Sequence, residues 1–351
     1  MVCSWPKLDQ NKADTGIPLT NTTSELNAMF IADIHLLGPY RSHWFDKMRR
    51  EWQMHRAFQT AMTLYDPDVV FILGDLFDEG QNCNDKQFND YIKRLESLFA
   101  VPKSKRIYVV PGNHDLGFHY RLRFDLFLKF HSVYKIPAVR LRSIKGNYFV
   151  LINSMAMDGD GCYLCEMGAA QLHYVAKRLN CLKTGKGCEG VKNLRGTYHR
   201  PIVLQHFPMY RESDAMCTDE DAAPAEIKNV TFRPKWDCLS RDASEKILDL
   251  LNPRLIFTGH THHGCTVRHR EDIVEHTLPS FNWRNKNNPT FILGVFTPNN
   301  HALAKCDIPS ESTVIYIYVS MILASALLIV ITASRKDSNM TVRAPLKSES
   351  S

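Results

Sequence analysis

The stretch RIYVVPGNHD, residues 106–115, decides how the rest of the chain is read. Its first half is a β-branched and aromatic run of the kind that pleats into a buried strand, and Pro111-Gly112 breaks it. Directly past the break stand an amide, an imidazole and a carboxylate, Asn113, His114 and Asp115. Working outward, similar apolar runs begin at Ala28 (AMFIADIH), Asp68 (DVVFILGD), Asn147 (NYFVLIN), Pro201 (PIVLQH) and Arg254 (RLIFTGHTHH), and they too stop on His, Asp or Asn. Between them Ala57, Phe58, Ala61, Met62 and Tyr65, and again Phe88, Tyr91, Ile92, Leu95, Leu98 and Phe99, recur at helical spacing. Strand and helix alternation predicts an α/β fold, in which functional groups gather beyond the carboxyl ends of the strands.

Those ends supply one candidate site: Asp33 and His35, Asp75, Asn113 with His114 and Asp115, His206, and His260 with His262. Taken singly each has a bland reading, since a strand-end Asp commonly caps a turn and a strand-end His commonly satisfies a hydrogen bond. Together they mix carboxylate, amide and imidazole donors without thiolate. That donor set suits Mn, Fe or Zn in a two-metal site and argues against a structural zinc site built on cysteine. Alternating residues on a strand share a face, so Asp33 and His35 are expected to reach one ion together.

The order DxH, GD, GNHD, a later His and GHxH resembles the calcineurin-like metallophosphoesterase superfamily, over about residues 28–263. The resemblance implies a four-layer αββα sandwich holding two divalent ions. It places Asp33, His35 and His262 on one ion and Asn113, His206 and His260 on the other, with Asp75 bridging them. His114 is then the non-ligand that stabilises the transition state or protonates the leaving alkoxide, and Asp115 orients its imidazole. REWQMHRAFQTA from Arg50, CTDEDAAPAE from Cys217 and LPSFNWRNKNNPTF from Leu278 resemble, more narrowly, a membrane-bound branch that remodels GPI anchors. That likeness implies Mn ions and removal of the ethanolamine phosphate branch from the second mannose of protein-bound GPI. GPI-anchored proteins, the membrane and cargo-export machinery are the partners it implies. The setting it implies is ER exit sites, the ER-Golgi intermediate compartment and the cis-Golgi, with a lumenal catalytic domain.

Composition agrees with a globular enzyme. The 351 residues carry 43 Lys and Arg against 37 Asp and Glu, a balance of +6 spread along the chain, so nucleic acid is not an expected partner. Ten cysteines read as lumenal disulfides of undetermined pairing, cytosolic thiols being the alternative. Cys162 and Cys165 form a CxxC without a second one, which fits a structural disulfide better than a redox or zinc motif.

VIYIYVSMILASALLIVITA, residues 314–333, has no charge and the length of a bilayer span. Arg335, Lys336, Arg343 and Lys347 follow it, which predicts a cytosolic tail over 334–351 and a lumenal body. The sequons at Asn21 and Asn229 fit that side, whereas the one at Asn339 would go unused. The opening MVCSWPKLDQNKADTG shows neither signal peptide nor apolar anchor, and a missing anchor is expected before a lumenal segment 1–27. A tail-anchored cytosolic domain is the alternative. The tail ends in PLKSESS and departs from the basic retrieval signal that the likeness implies. Residues 28–305 form one expected catalytic domain. Trp283 and Arg284 are read as groove lining or, for Trp283, core; the acidic run around Asp219 is read as solvated. The rival functions are a phosphoesterase for another lumenal substrate and a non-catalytic scaffold.

Overall fold

The computed structural model describes residues 3–9, 25–40, 42–118, 121–192, 196–286 and 288–341, with side chains as far as 335. Asn21, the side chains of Lys336 and Asn339, and Arg343 and Lys347 lie outside the described residues, as does most of the expected segment 1–27. The chain divides into two units, Met1–Ile308 and Pro309–Ser351.

The first unit is built on two sheets. One contains β1 (Leu26–Ile31), β2 (Val69–Leu73), β3 (Arg106–Val110), β10 (Thr290–Thr297) and β11 (Asn300–Asp307), in the order β11-β10-β1-β2-β3. β1, β2 and β3 run parallel and β10 runs antiparallel to β1. The other contains β4 (Val139–Ile144), β5 (Asn147–Ile152), β6 (Ile202–Leu204), β7 (Leu255–Thr258), β8 (Cys265–His269) and β9 (Ile273–Thr277), in the order β4-β5-β6-β7-β9-β8. Its centre, β5 through β9, is parallel and its two edges are antiparallel.

Alternation along the strands assigns the layers. Phe30, Phe71, Phe149, Leu151, Ile202, Leu204, Leu255 and Phe257 belong to one buried cluster, and their neighbours Met29, Ile31, Val70, Ile72, Val150, Val203 and Ile256 belong to another. The first cluster fills the space between the sheets, where the Phe30 and Phe257 rings stack at 4.3 Å and Phe71 meets Phe149 at 4.8 Å. The second packs outward on helices: α1 (Trp44–Tyr65) and α2 (Asp85–Leu98) through Met54, Phe58, Phe88 and Tyr91, and α5 (Tyr163–Thr184) and α7 (Arg241–Leu251) through Leu172, Val175, Ile247 and Leu251. This is the αββα sandwich the sequence leads one to expect. Short α3 (Asn113–Leu116), α4 (Phe124–Tyr134) and short α6 (Ala225–Lys228) complete the unit.

The six runs noted in the sequence each contain a strand; their starts agree with it to within two residues, and their ends overrun it by one to five residues into the loops that follow. β4, β8, β9, β10 and β11 are additional. The sheet therefore continues through Asp307, two residues beyond the expected domain end at 305. Four disulfides join Cys3 to Cys306, Cys162 to Cys165, Cys181 to Cys188 and Cys217 to Cys265, and Cys83 and Cys238 are buried thiols. The Cys3 bond fixes the chain's start to β11, and Trp5 Nε1 donates to the Tyr65 carbonyl at 3.0 Å. The acidic run is a structural element after all, because Asp219 and Asp221 both hold the Lys305 ammonium, at 2.7 and 2.5 Å.

One buried network carries fold stability to the strand ends. The Glu275 carboxylate on β9 accepts from Met209 N, Thr258 Oγ1 and His269 Nε2, with Arg211 at 3.6 Å. Met209 lies in the loop that carries His206, and Thr258 ends β7 just before His260, so this single carboxylate ties two site loops together. Burial alone would raise its pKa, but the His269 hydrogen bond and the His269 and Arg211 charges outweigh burial and hold it below the usual 4.5. A depressed carboxylate stabilises the fold above its unfolded value, and the contribution fades as pH falls through the folded one. Glu275→Gln is expected to cost about 3 kcal/mol at neutral pH, the loss typical of breaking a buried pair. Urea unfolding of the full chain in detergent should show the gap between the two proteins closing below about pH 4.

The second unit is α8 (Glu311–Thr341). Residues Glu311–Arg335 of it are long and apolar enough to cross a membrane.

Candidate metal centre

Nine sequence-predicted residues converge at the carboxyl ends of β1, β2, β3, β6 and β7. Ligand atoms of Asp33, His35, Asp75 and His262 lie within 4.8 Å of one another, as do those of Asp75, His206 and His260. Asp75 belongs to both groups. Its Oδ2 stands 3.5 Å from His35 Nε2 and 3.4 Å from His206 Nε2, which reach it from opposite sheets. Asn113 joins the second group through Oδ1, 3.1 Å from His206 Nε2. Asp33, His35, Asp75, Asn113 and His206 are buried, while His114, His260 and His262 are partly exposed, giving a closed floor and an open lip.

Backbone conformation, not strand alternation, aims the ligands. β1 ends at Ile31, so Asp33 and His35 lie past its pleat. Asp33, His35, Asp75, His260 and His262 all adopt left-handed φ, between 46° and 76° as a set. Such angles are uncommon for residues with a Cβ and cluster where function over-determines the backbone. The supporting bonds are on hand. Ser280 Oγ donates to the Asp33 carbonyl and Asn282 Nδ2 to the Ile34 carbonyl, at 2.8 and 2.6 Å. His35 N donates to the Asp75 carbonyl at 2.8 Å. At Gly112 a Cβ would lie 2.1 Å from Asp75 Oδ1, so the chain passes over the shared carboxylate only because the position is glycine.

Hydrogen bonds on the far nitrogens orient the imidazoles. His206 Nδ1 donates to the Leu73 carbonyl at 2.8 Å and His260 Nε2 to the Trp236 carbonyl at 2.8 Å, leaving His206 Nε2 and His260 Nδ1 as lone-pair donors toward the centre. Burial is the largest influence throughout. It lowers His35 and His260 to about 3, keeping both neutral, the form in which imidazole binds metal. Asp33 is raised to about 8 by burial, with the neighbouring Asp75 charge adding to the effect. Two buried carboxylates this close call for cations between them.

Asp115 is placed differently from the expectation. Its carboxylate accepts from the backbone N–H of Leu76, Phe77 and Gly112, at 3.2, 3.0 and 2.8 Å, and so staples the GD loop to the GNHD loop. The group that orients His114 is the Asp78 carbonyl, 2.7 Å from Nδ1. The helical turn of α3 points the Asp115 side chain back at its own N-terminus, away from the imidazole of its neighbour. Sequence reasoning passed over Asp78. Its buried carboxylate stands 3.4 Å from His35 Nδ1 and 3.7 Å from His114 Nδ1 and is ion-paired with Arg284. The available signal was a second carboxylate three residues past the GD motif. Trp283 is core, whereas Arg284 is partly exposed beside the site.

A match to the calcineurin-like phosphoesterase family covers residues 26–264. The chain belongs to that family. Within the calcineurin-like phosphoesterases, it is 46% identical over 334 residues to metallophosphoesterase 1 of Gallus gallus, across 94% of this chain and 82% of the relative. It is 43% identical over 331 residues to metallophosphoesterase 1 of Danio rerio, across 94% of this chain and 84% of that protein. Among solved structures, GAP50, the anchor in the inner membrane complex of Plasmodium, shares the fold at 10% identity with a TM-score of 0.50, over 82% of this chain and 89% of that one. A phosphoesterase of this family works with a dinuclear divalent site, and the two ligand groups sharing Asp75 are the candidates for it. The donor set fits: carboxylate and amide oxygen with imidazole nitrogen, no thiolate, and paired buried carboxylates.

Proposed function

We propose that this calcineurin-like phosphoesterase is a membrane-anchored phosphodiesterase that removes the ethanolamine phosphate branch from the second mannose of protein-bound GPI. Asp33, His35 and His262 would hold one Mn ion, Asn113, His206 and His260 the other, and Asp75 both. The observation that carries the chemical part is Asp75, placed with one carboxylate oxygen between imidazoles from the two sheets. Two divalent ions bound there supply charge neutralisation for the phosphate oxygens and an activated water. The chain's own groups do the rest. Asp33 accepts the His260 N–H at 3.1 Å, which keeps the two ligand loops in register. His114 Nδ1–H stays on the Asp78 carbonyl, so Nε2 is the nitrogen that carries a proton to the departing alkoxide. Arg284, held by Asp78, stands beside His114 as a guanidinium for phosphate oxygens.

The extent and level of similarity to metallophosphoesterase 1 of several vertebrates supports a shared substrate. The four disulfides support an oxidising compartment, hence a lumenal body with the tail in the cytosol and residence between the ER and cis-Golgi. Asn229 is exposed, as a used glycosylation site has to be. GPI-anchored proteins awaiting export are the substrates on this reading, with cargo-export machinery downstream.

The test is mass spectrometry of GPI from cells lacking the endogenous activity and rescued with this protein. Loss of one ethanolamine phosphate from the second mannose is the expected result, and active-site variants should not produce it. If the GPI is unchanged while the purified protein cleaves a generic phosphodiester with Mn, the chemistry stands and the substrate assignment falls.

A further inference from the structure

The solvent face of α1 is out of keeping with a water-exposed helix. Trp44, Phe45, Met48 and Trp52 are 69%, 51%, 52% and 42% exposed. At 100° per residue these four fall on one arc, opposite the core-facing Gln53, Met54, Ala57, Phe58 and Ala61. Single exposed apolar residues are ordinary, but a contiguous aromatic patch marks a surface that something covers.

The flanks say what kind of surface that is. Lys47 on α1 and Lys86 and Lys93 on α2 line a cavity of about 560 Å³ along one edge of the patch, with the carboxylate Asp90 and with Arg94, which is ion-paired to Glu51 of α1. Arg56 and Arg49, the latter ion-paired with Asp46, lie along the other edge. Tryptophan, phenylalanine and methionine between rows of Lys and Arg is the composition of a helix that lies in the headgroup region of a bilayer, rings at the acyl boundary and cations on phosphates. Only Ile308, Pro309 and Ser310 separate β11 from α8, the helix able to cross a membrane, so the chain itself keeps this domain at a bilayer.

We infer that the Trp44–Phe45–Met48–Trp52 face of α1 docks on the phospholipid surface, with headgroup phosphates taken by Lys47, Lys86 and Lys93. α1 is also coupled to the candidate centre. Gln53 Nε2 donates to the Phe281 carbonyl at 3.2 Å, in the segment whose Ser280 and Asn282 brace the Asp33–His35 loop. Docking by this face therefore fixes how the centre addresses a substrate anchored in the same membrane. The inference does not depend on the GPI assignment.

α8 contains no tryptophan, and two of the chain's five lie on this face. Tryptophan emission of the full chain in nanodiscs consequently reads the docking of this surface. The discs would contain phosphatidylcholine with a third phosphatidylserine, with or without brominated acyl chains. Bromolipid is expected to quench the wild type, and the quenching should disappear in the triple variant Trp44→Ser, Met48→Ser, Trp52→Ser. That variant should hydrolyse a soluble phosphodiester at the wild-type rate, which shows that the fold and the centre are intact. Unquenched wild-type emission overturns the inference, and so does quenching that persists in the variant. Unquenched emission with two copies per disc would overturn it in favour of a second copy covering the face.

Discussion

Replacing Asp75 with asparagine is expected to abolish phosphodiester hydrolysis, lowering kcat/KM by at least about 10³-fold, the rate equivalent of several kcal/mol of charge stabilisation. Asparagine keeps an Oδ1 able to accept the His114 N–H that Asp75 accepts at 2.9 Å, so the loop geometry survives. What disappears is the negative charge shared by the two ligand groups. Metal analysis should find fewer than two ions per chain in the variant. Added Mn should therefore raise the melting temperature of wild type far more than that of the variant. A variant with normal turnover would refute the metal-bridging role and, with it, the enzymatic reading of the site.

Why was so much of this centre legible without coordinates? Each ligand-bearing loop directly follows a buried parallel strand, and the strands of β1, β2, β3, β6 and β7 are short apolar runs with chemistry at their ends. Topology brings such ends together, so residues more than two hundred apart, like His35 and His262 with Nε2 atoms at 3.1 Å, were predictable as neighbours. The strands that escaped notice lack that mark. β10 is a continuous apolar run, but it ends on no chemistry-bearing residue; β8 alternates polar with apolar as a partly exposed edge strand does, and β9 and β11 mix polar with apolar residues without an apolar run.

The misreadings of the site share a cause. Sequence adjacency suggested that Asp115 serves His114 and that pleating aims Asp33 and His35. Both inferences assume regular backbone where the chain is least regular. Once the loops turn through left-handed φ, a neighbour in sequence points elsewhere, and Asp78, thirty-six residues away, supplies the contact instead. Arg284 shows the same limit, since only folding brings it to Asp78.

His114→Ala provides the second large effect and separates catalysis from metal binding. His114 is outside both ligand groups that share Asp75, so the variant should retain its ions and its Mn-dependent stabilisation. Loss of a positioned acid is expected to reduce kcat by about 10²- to 10⁴-fold with an alkyl phosphodiester, whose alkoxide cannot depart unprotonated. An aryl phosphodiester with a nitrophenolate leaving group needs little protonation, and its hydrolysis should fall by much less. That contrast is the diagnostic. Equal losses on both substrates would show that the imidazole acts on charge at the phosphoryl oxygens instead of on the leaving group. Asp78→Asn should then resemble a milder His114→Ala, since the Asp78 carbonyl that orients the ring remains while the carboxylate behind His35, His114 and Arg284 loses its charge. A variant of His114 that lost its metal as well would place the imidazole among the ligands and would overturn this division of roles.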